Sequence, residues 1–274
     1  MADRSWRHGL HQAAEVKEGV PVTSDKENLA RLSFQRFFRQ YPKMAGMTGT
    51  AWESRGEMWQ IYRLPIVRIP TNRPCIRRYL PTRMFDTLEQ KWQAVVDRVC
   101  ELNDKGSPVL VGTRSVLASE EVSRRLEKLG RKHRVLNATQ TAQEASIVSE
   151  AGLTGKITVA TNMAGRGTDI KLGRGVADAG GLHVIATEPH ASGRVDRQLF
   201  GRAARQGDPG SAQMFCCAED DLFIRHAPHI RRGWRAIGVE RLTRLAQAQA
   251  ERMARFNRKQ VLKQDDWMDQ TMPF

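Results

Sequence analysis

Residues 158–173 read T-V-A-T-N-M-A-G-R-G-T-D-I-K-L-G and hold the side chains best suited to phosphate chemistry. A β-branched run at 157–159 leads into Gly165, Arg166, Gly167, Thr168 and Asp169. Two glycines around an arginine permit a tight backbone path, because glycine adopts positive φ without steric cost. Such a turn after a strand aims a guanidinium and a carboxylate at one point. Further along, residues 198–208 read Q-L-F-G-R-A-A-R-Q-G-D. Arg202 and Arg205 would share a face if that stretch were helical. Arg166, Arg202 and Arg205, with Asp169 and Asp208, are an expected site for a polyanion such as a nucleoside triphosphate.

The elements that position these residues alternate along the chain. Leu88, Trp92, Val95, Val96 and Val99 recur at helical spacing over 86–105, and Gly106 and Pro108 end that helix. A short buried strand is expected at 108–113. A helix capped by Ser115 or Ser119 follows and stops at Gly130. Then come a strand at 133–137, a helix at 142–151, strands at 157–160 and 180–187, a helix at 193–206 and a strand at 213–217. Strands alternating with helices of this length predict an α/β fold, a parallel sheet with helices on both faces. Ligands gather at the carboxyl ends of such strands, which places the expected site at Gly112 and Thr113, at 161–169, and at Thr187 and Glu188. Upstream, the pattern predicts helices over 29–40 and 52–63, a strand end entering a tight loop at 44–51, and an extended linker at 65–74. Downstream, 241–267 has no glycine or proline and carries a narrow apolar stripe among arginines, which predicts one long helix.

The formal net charge of +14 over 274 residues calls for an acidic partner: a nucleotide, a nucleic acid or an anionic membrane. The four cysteines include no C-x-x-C pair, so a reducing compartment without disulfides or zinc is expected, and no metal site is assigned. His183 and His190 have no ligand at metal spacing and read as structural. The acidic run 218–222 reads as a helix start. No apolar run approaches the roughly 20 residues of a membrane helix. The first residues lack the apolar core of a signal peptide, so a cytoplasmic protein, peripheral at the inner membrane, is expected.

Taken together, G-L-H-Q-A at 9–13, G-M-T-G-T-A at 46–51, P-T-N-R-P at 70–74 and the stretches 160–169 and 201–210 resemble the SecA family, motor ATPases of bacterial protein export. G-R-x-x-R-Q-G at 201–207 alone would indicate only the wider helicase-like superfamily 2. The resemblance implies a remnant of a first nucleotide-binding domain at 1–64. It implies a second, RecA-like domain of the superfamily 2 helicase C-terminal type at 65–224, and the start of a helical scaffold with a long helix at 225–274. It implies that Arg166 reaches the γ-phosphate within a turn formed by Gly165, Gly167 and Thr168. Asp169 would lie on the sugar side, Arg202 and Arg205 would be an arginine-finger pair, and Thr48 and Thr50 would link nucleotide state to domain movement. Three departures from the family pattern, at four positions, stand out: Phe200 replaces an arginine, Ala203 and Ala204 replace Ser-Gly, and Gly193 replaces an arginine before Arg194.

No G-x-x-x-x-G-K-[ST] string occurs, and Gly155-Lys156-Ile157 lacks both the leading glycine and the hydroxyl. The chain is therefore expected to be a truncated, ATP-binding half-site, with Mg²⁺ supplied by a missing first domain, and not to hydrolyse ATP alone. The implied partners are the SecYEG channel, full-length SecA or a separate first-domain polypeptide, and an anionic membrane surface; contact with preprotein is left open. The alternatives are a superfamily 2 nucleic-acid-binding module and a regulatory scaffold docking on SecA or SecYEG. Nucleic acid is the weaker partner, because few aromatic residues interleave with the arginines of 231–263 to form stacking platforms.

Overall fold

The computed structural model describes residues 9–23, 32–136, 144–161 and 168–271, with backbone only at 144–145 and 268–271. The chain divides into two compact units, one of residues 45–260 and one of residues 1–44 with 261–274.

The smaller unit contains α1 (Leu10–Lys17) and α2 (Phe34–Arg39). The Ser33 side chain caps α2 by accepting from the Arg36 N–H at 3.2 Å. Phe37 meets Phe38 and Tyr41 edge-on. The helix expected over 29–40 is thus shorter among the described residues, and its first positions lie outside them. The strand end expected near Met44 is not formed; 44–51 is irregular chain.

In the larger unit, α3 (Arg55–Tyr62) is followed by extended chain and two short strands, β1 (Arg78–Tyr79) and β2 (Arg83–Phe85). Then come α4 (Leu88–Asp104), β3 (Val109–Thr113), α5 (Val116–Lys128), β4 (Arg134–Leu136), α6 (Glu144–Glu150) and β5 (Ile157–Thr161). β6 (Leu182–Ala186), α7 (Gly193–Phe200), β7 (Gly210–Cys217), α8 (Asp221–His226) and α9 (Trp234–Ile237) follow. The long helix α10 spans Val239–Thr271. The sheet order is β1-β7-β6-β3-β5-β4, with β2 also on β7, and every pairing is parallel. This is the expected α/β architecture.

Alternation along the strands divides the core. Val109 and Val111 of β3, Ile157 and Val159 of β5, Ile185 and Phe215 pack with α4 and α5 on one face. Leu110, Ala160, Val184, Ala186, Met214 and Cys216 pack on the other face with Leu199 of α7, Phe223 of α8 and Leu242 and Ala246 of α10. Thr87 caps α4 and Ser115 caps α5; Ser119 instead donates to Val116 O within the helix. The acidic run at 218–222 does open α8. Its Asp220 is buried, pairs with buried Lys91 of α4 and accepts from the Cys217 N–H at 2.7 Å. Removing one partner of such a pair costs about 3–5 kcal/mol, since the other charge is left buried alone.

Buried His183 shares a hydrogen bond with Ser211 Oγ on the neighbouring strand. Burial, with help from the charges of Arg98, Arg78 and Lys105, pushes its imidazole down to about 4. The folded protein therefore keeps His183 neutral at a pH where the unfolded chain protonates it. Stability is expected to fall as pH drops through the window from about 6.5 to about 4, by about 3 kcal/mol. Denaturant titrations at neutral and acidic pH check this: His183→Gln should lose that much less stability than wild type over the same window.

Candidate nucleotide-facing site

Parallel pairing of β6 with β7 requires α7 to run back along the sheet. Leu199 of α7 seats directly on β3 because Gly112 offers no side chain; a Cβ there would lie 2.3 Å from Leu199 Cδ2. Helix α7 stops at Phe200, short of the expected 206, and the chain turns through Gly201–Gly210 into β7. Arg202 and Arg205 consequently project from a turn and not from a helix face. That turn feeds the amino end of β7, where the expectation had been the carboxyl ends of the strands. Gly112, Thr113 and Thr187 pack the opposite edge, with the Thr187 Oγ1 donating to Gly112 O at 3.2 Å.

Two backbone features shape the turn. Ala204 and Gln206 adopt φ of 53° and 54°, and Gly207 adopts 83°. A Cβ at Gly207 would press on Arg73 Cδ at 3.0 Å. The carbonyls that such a turn leaves unpaired are taken up by arginines of the preceding extended chain. Arg77 donates from Nε and Nη2 to Ala203 O at 3.1 and 2.9 Å, and Arg73 Nη1 donates to Gln206 O at 3.4 Å. Sequence reasoning singled out P-T-N-R-P at 70–74 but assigned Arg73 and Arg77 no role. Their contacts lie more than 120 positions away in the chain, so local spacing carries no sign of them.

Four of the expected site residues meet at this turn. Arg202 Nη1 donates to Thr168 O at 3.1 Å, and Arg205 Nη1 to Asp169 Oδ1 at 2.8 Å, while Arg205 Nε holds Gly201 O at 2.8 Å. Gly165, Arg166 and Gly167 lie outside the described residues. The Arg205 and Asp169 side chains are 39% and 45% exposed. An ion pair that open contributes about 0–1 kcal/mol, so Arg205 is free to exchange its carboxylate for a better acceptor. A phosphoryl oxygen is such an acceptor. Among the described residues, Asp208 makes no ion pair; its N–H closes the turn onto Arg205 O at 2.9 Å.

The other end of α7 is anchored differently. Asp196 is buried and accepts from the His190 N–H and Nδ1 at 3.0 and 2.8 Å and from Gln247 Nε2 of α10 at 2.7 Å. His190 is therefore a tie between a loop, α7 and α10, with a carboxylate partner that its spacing did not reveal. On the exposed side of α7, Gln198 Nε2 donates to Thr50 Oγ1 at 3.2 Å and Arg197 pairs with Glu53 at 2.6 Å. Phe200 stacks edge-on against Tyr79 at 6.0 Å. No group of three His, Cys, Asp or Glu among the described residues could hold a metal ion.

A family model described as the SecA P-loop domain matches residues 74–177 and 173–238, and one described as the SecA DEAD-like domain matches residues 3–59. The chain belongs to the SecA family. It is 53% identical to protein translocase subunit SecA 2 of Nitrosospira multiformis, over 82% of this chain and 34% of that protein. Identity is 45% with SecA 2 of Bordetella avium, over 100% of this chain and 43% of that one. With the SecA subunit of Desulfovibrio desulfuricans it is 52%, over 81% of this chain and 26% of that one. The chain thus spans less than half the length of these SecA relatives. The solved structure of E. coli DEAD-box protein SrmB bound to regulator of ribonuclease activity A is similar at 23% identity and a TM-score of 0.43, over 56% of this chain and 84% of that one.

Left-handed backbone costs an alanine about 1–2 kcal/mol, and glycine escapes it at an unfolded-state entropy cost of about 0.4–1 kcal/mol. Ala204→Gly in this SecA-family turn is therefore expected to raise stability by about 0.5–1 kcal/mol, read as a higher urea midpoint at unchanged slope. Arg205→Ala should cost less than about 1 kcal/mol in the same measurement, because its ion pair is exposed.

Proposed function

We propose that this chain supplies the arginine-bearing wall of an ATP cleft in a SecA-type protein-export motor. The observation that carries the proposal is the meeting of Arg202, Arg205, Thr168 and Asp169 at one turn, where the Arg205–Asp169 ion pair is exposed enough to exchange. Residues 65–224 act as the second nucleotide-binding domain. Residues 1–64 belong with the first, and 225–274 with the helical scaffold.

In this role Arg205 leaves Asp169 for the terminal phosphoryl oxygens, and Arg202 reinforces it from the same turn. Two guanidinium groups there offset negative charge that grows in the transition state. Asp169, once released, accepts hydrogen bonds from ribose hydroxyls. Arg166, which stands between Gly165 and Gly167 in the sequence and is followed by Thr168, is assigned to the same phosphates. ATP contributes the phosphoanhydride whose cleavage drives the motor. Its magnesium is assigned to a P-loop-bearing domain, whose hydroxyl and acidic ligands hold the metal in P-loop NTPases. The Thr50–Gln198 and Asp196–Gln247 contacts at α7 transmit closure of the cleft to residues 48–54 and to α10. The basic face of α10 makes SecYEG, full-length SecA or an anionic membrane surface the partners to test.

Steady-state ATP hydrolysis, measured with and without a separately produced P-loop-bearing SecA domain, tests the proposal. The chain alone should show no turnover above background, and the mixture should hydrolyse ATP. Arg202→Ala and Arg205→Ala should each lower the reconstituted rate by about 10³. Robust turnover by the isolated chain would sink the half-site proposal.

A further inference from the structure

Helix α7 carries a second basic cluster at the end opposite the nucleotide-facing turn. A cavity of about 370 Å³ opens between its first turn, the segment at Glu53 and α10. Arg194, Arg197, Arg244 and Arg255 line it, against the carboxylates of Glu53 and Glu251. Arg197 is tied to Glu53 at 2.6 Å, and Arg255 lies 3.6 Å from Glu251 and donates to Glu53 O at 3.2 Å. Arg194 and Arg244 have no carboxylate partner among the described residues; Arg244 holds only Glu240 O, at 3.4 Å. Two guanidinium groups are thus left uncompensated in a recess.

Gly193 lines the recess without a side chain. A Cβ there would meet Gln247 Oε1 at 3.1 Å and Arg197 Nη1 at 3.5 Å, so any longer side chain would grow into the cavity. The lining contains no aromatic ring on which a base could stack. Its size exceeds what one carboxylate fills. Arginine forks suit tetrahedral oxyanions, which accept from several of them at once.

We infer that this recess is a second anion site, for a diphosphate-class ligand, separate from the nucleotide-facing turn. An eight-residue helix is about 12 Å long, so α7 separates the two clusters by that distance while joining them rigidly. An anion bound by Arg194 and Arg244 draws on Arg197 as well and competes with Glu53 for it. The contact between α7 and residues 48–54 thereby comes under the control of this ligand.

Isothermal titration of the chain with pyrophosphate at constant ionic strength tests the inference, with ADP titrated in parallel. Pyrophosphate should bind saturably, and Arg202→Ala/Arg205→Ala should bind it as wild type does. Arg194→Ala/Arg244→Ala should bind about tenfold more weakly or worse. Neither of those two arginines balances a carboxylate, so the double variant should melt as wild type does. Gly193→Val, which fills the recess and removes no charge, should weaken binding as well. ADP heat that follows Arg194 and Arg244 would assign the site to a nucleotide-borne diphosphate, and a response to pyrophosphate alone to the free anion. The inference fails if wild type shows no saturable binding, or if binding follows Arg202 and Arg205. It also fails if Gly193→Val binds unchanged, which would reduce the cluster to unstructured surface charge.

Discussion

Parallel pairing between β6 and β7 is the constraint on which the functional geometry rests. Two parallel neighbours cannot be joined by a tight turn, so the chain must recross the sheet between them. Helix α7 is that crossing. Because it runs from the carboxyl edge back to the amino edge, whatever follows it arrives at the amino end of β7. Arg202 and Arg205 are delivered there, and Arg194 and Arg197 are left behind at the far end. The side chain missing at Gly112 lets Leu199 seat on β3, and this depth of packing fixes where both ends of the helix lie.

The rest of the unit holds that helix at each end by polar contacts of different character. At Asp196 the contacts are buried, with His190 and Gln247 filling both carboxylate oxygens, so the tie is costly to break. At Arg205 and Asp169 they are exposed and cheap to exchange. The asymmetry leaves one end of the helix anchored in the core against α10 and the other with a partner it can exchange. Arg73 and Arg77 extend the same logic to the backbone. They satisfy the carbonyls of Ala203 and Gln206 in a turn that passes through left-handed conformations at Ala204, Gln206 and Gly207.

Membership of the SecA family gives this arrangement its context, and the three departures from the family pattern acquire physical content. Phe200 exchanges a charge for an edge-on contact with Tyr79. Ala204 places a Cβ where the backbone favours glycine. Gly193 lines the recess beside Arg197 and Gln247 without a side chain. Helix α7 is bonded to α10 through Asp196 and Gln247, neither of which is among those departures.

Periodicity and composition alone determined the alternation of strands and helices, the two-faced sheet and the long final helix. These are set by contacts within a few residues, which spacing records directly. The candidate site was legible as a set of residue types: arginines and an aspartate beside glycines, in motifs specific enough to name a family. Tertiary structure alone decided which edge of the sheet receives them, that Arg205 meets Asp169 and Arg202 meets Thr168, and that Arg73, Arg77, Asp196 and Gln247 support the helix between. Even β1 and β2 escaped the sequence, being two and three residues long and defined only by β7 beside them. The physical reason is common to all of these. A hydrogen bond between residues dozens of positions apart depends on where the crossover lands, and that is decided by how the whole sheet packs.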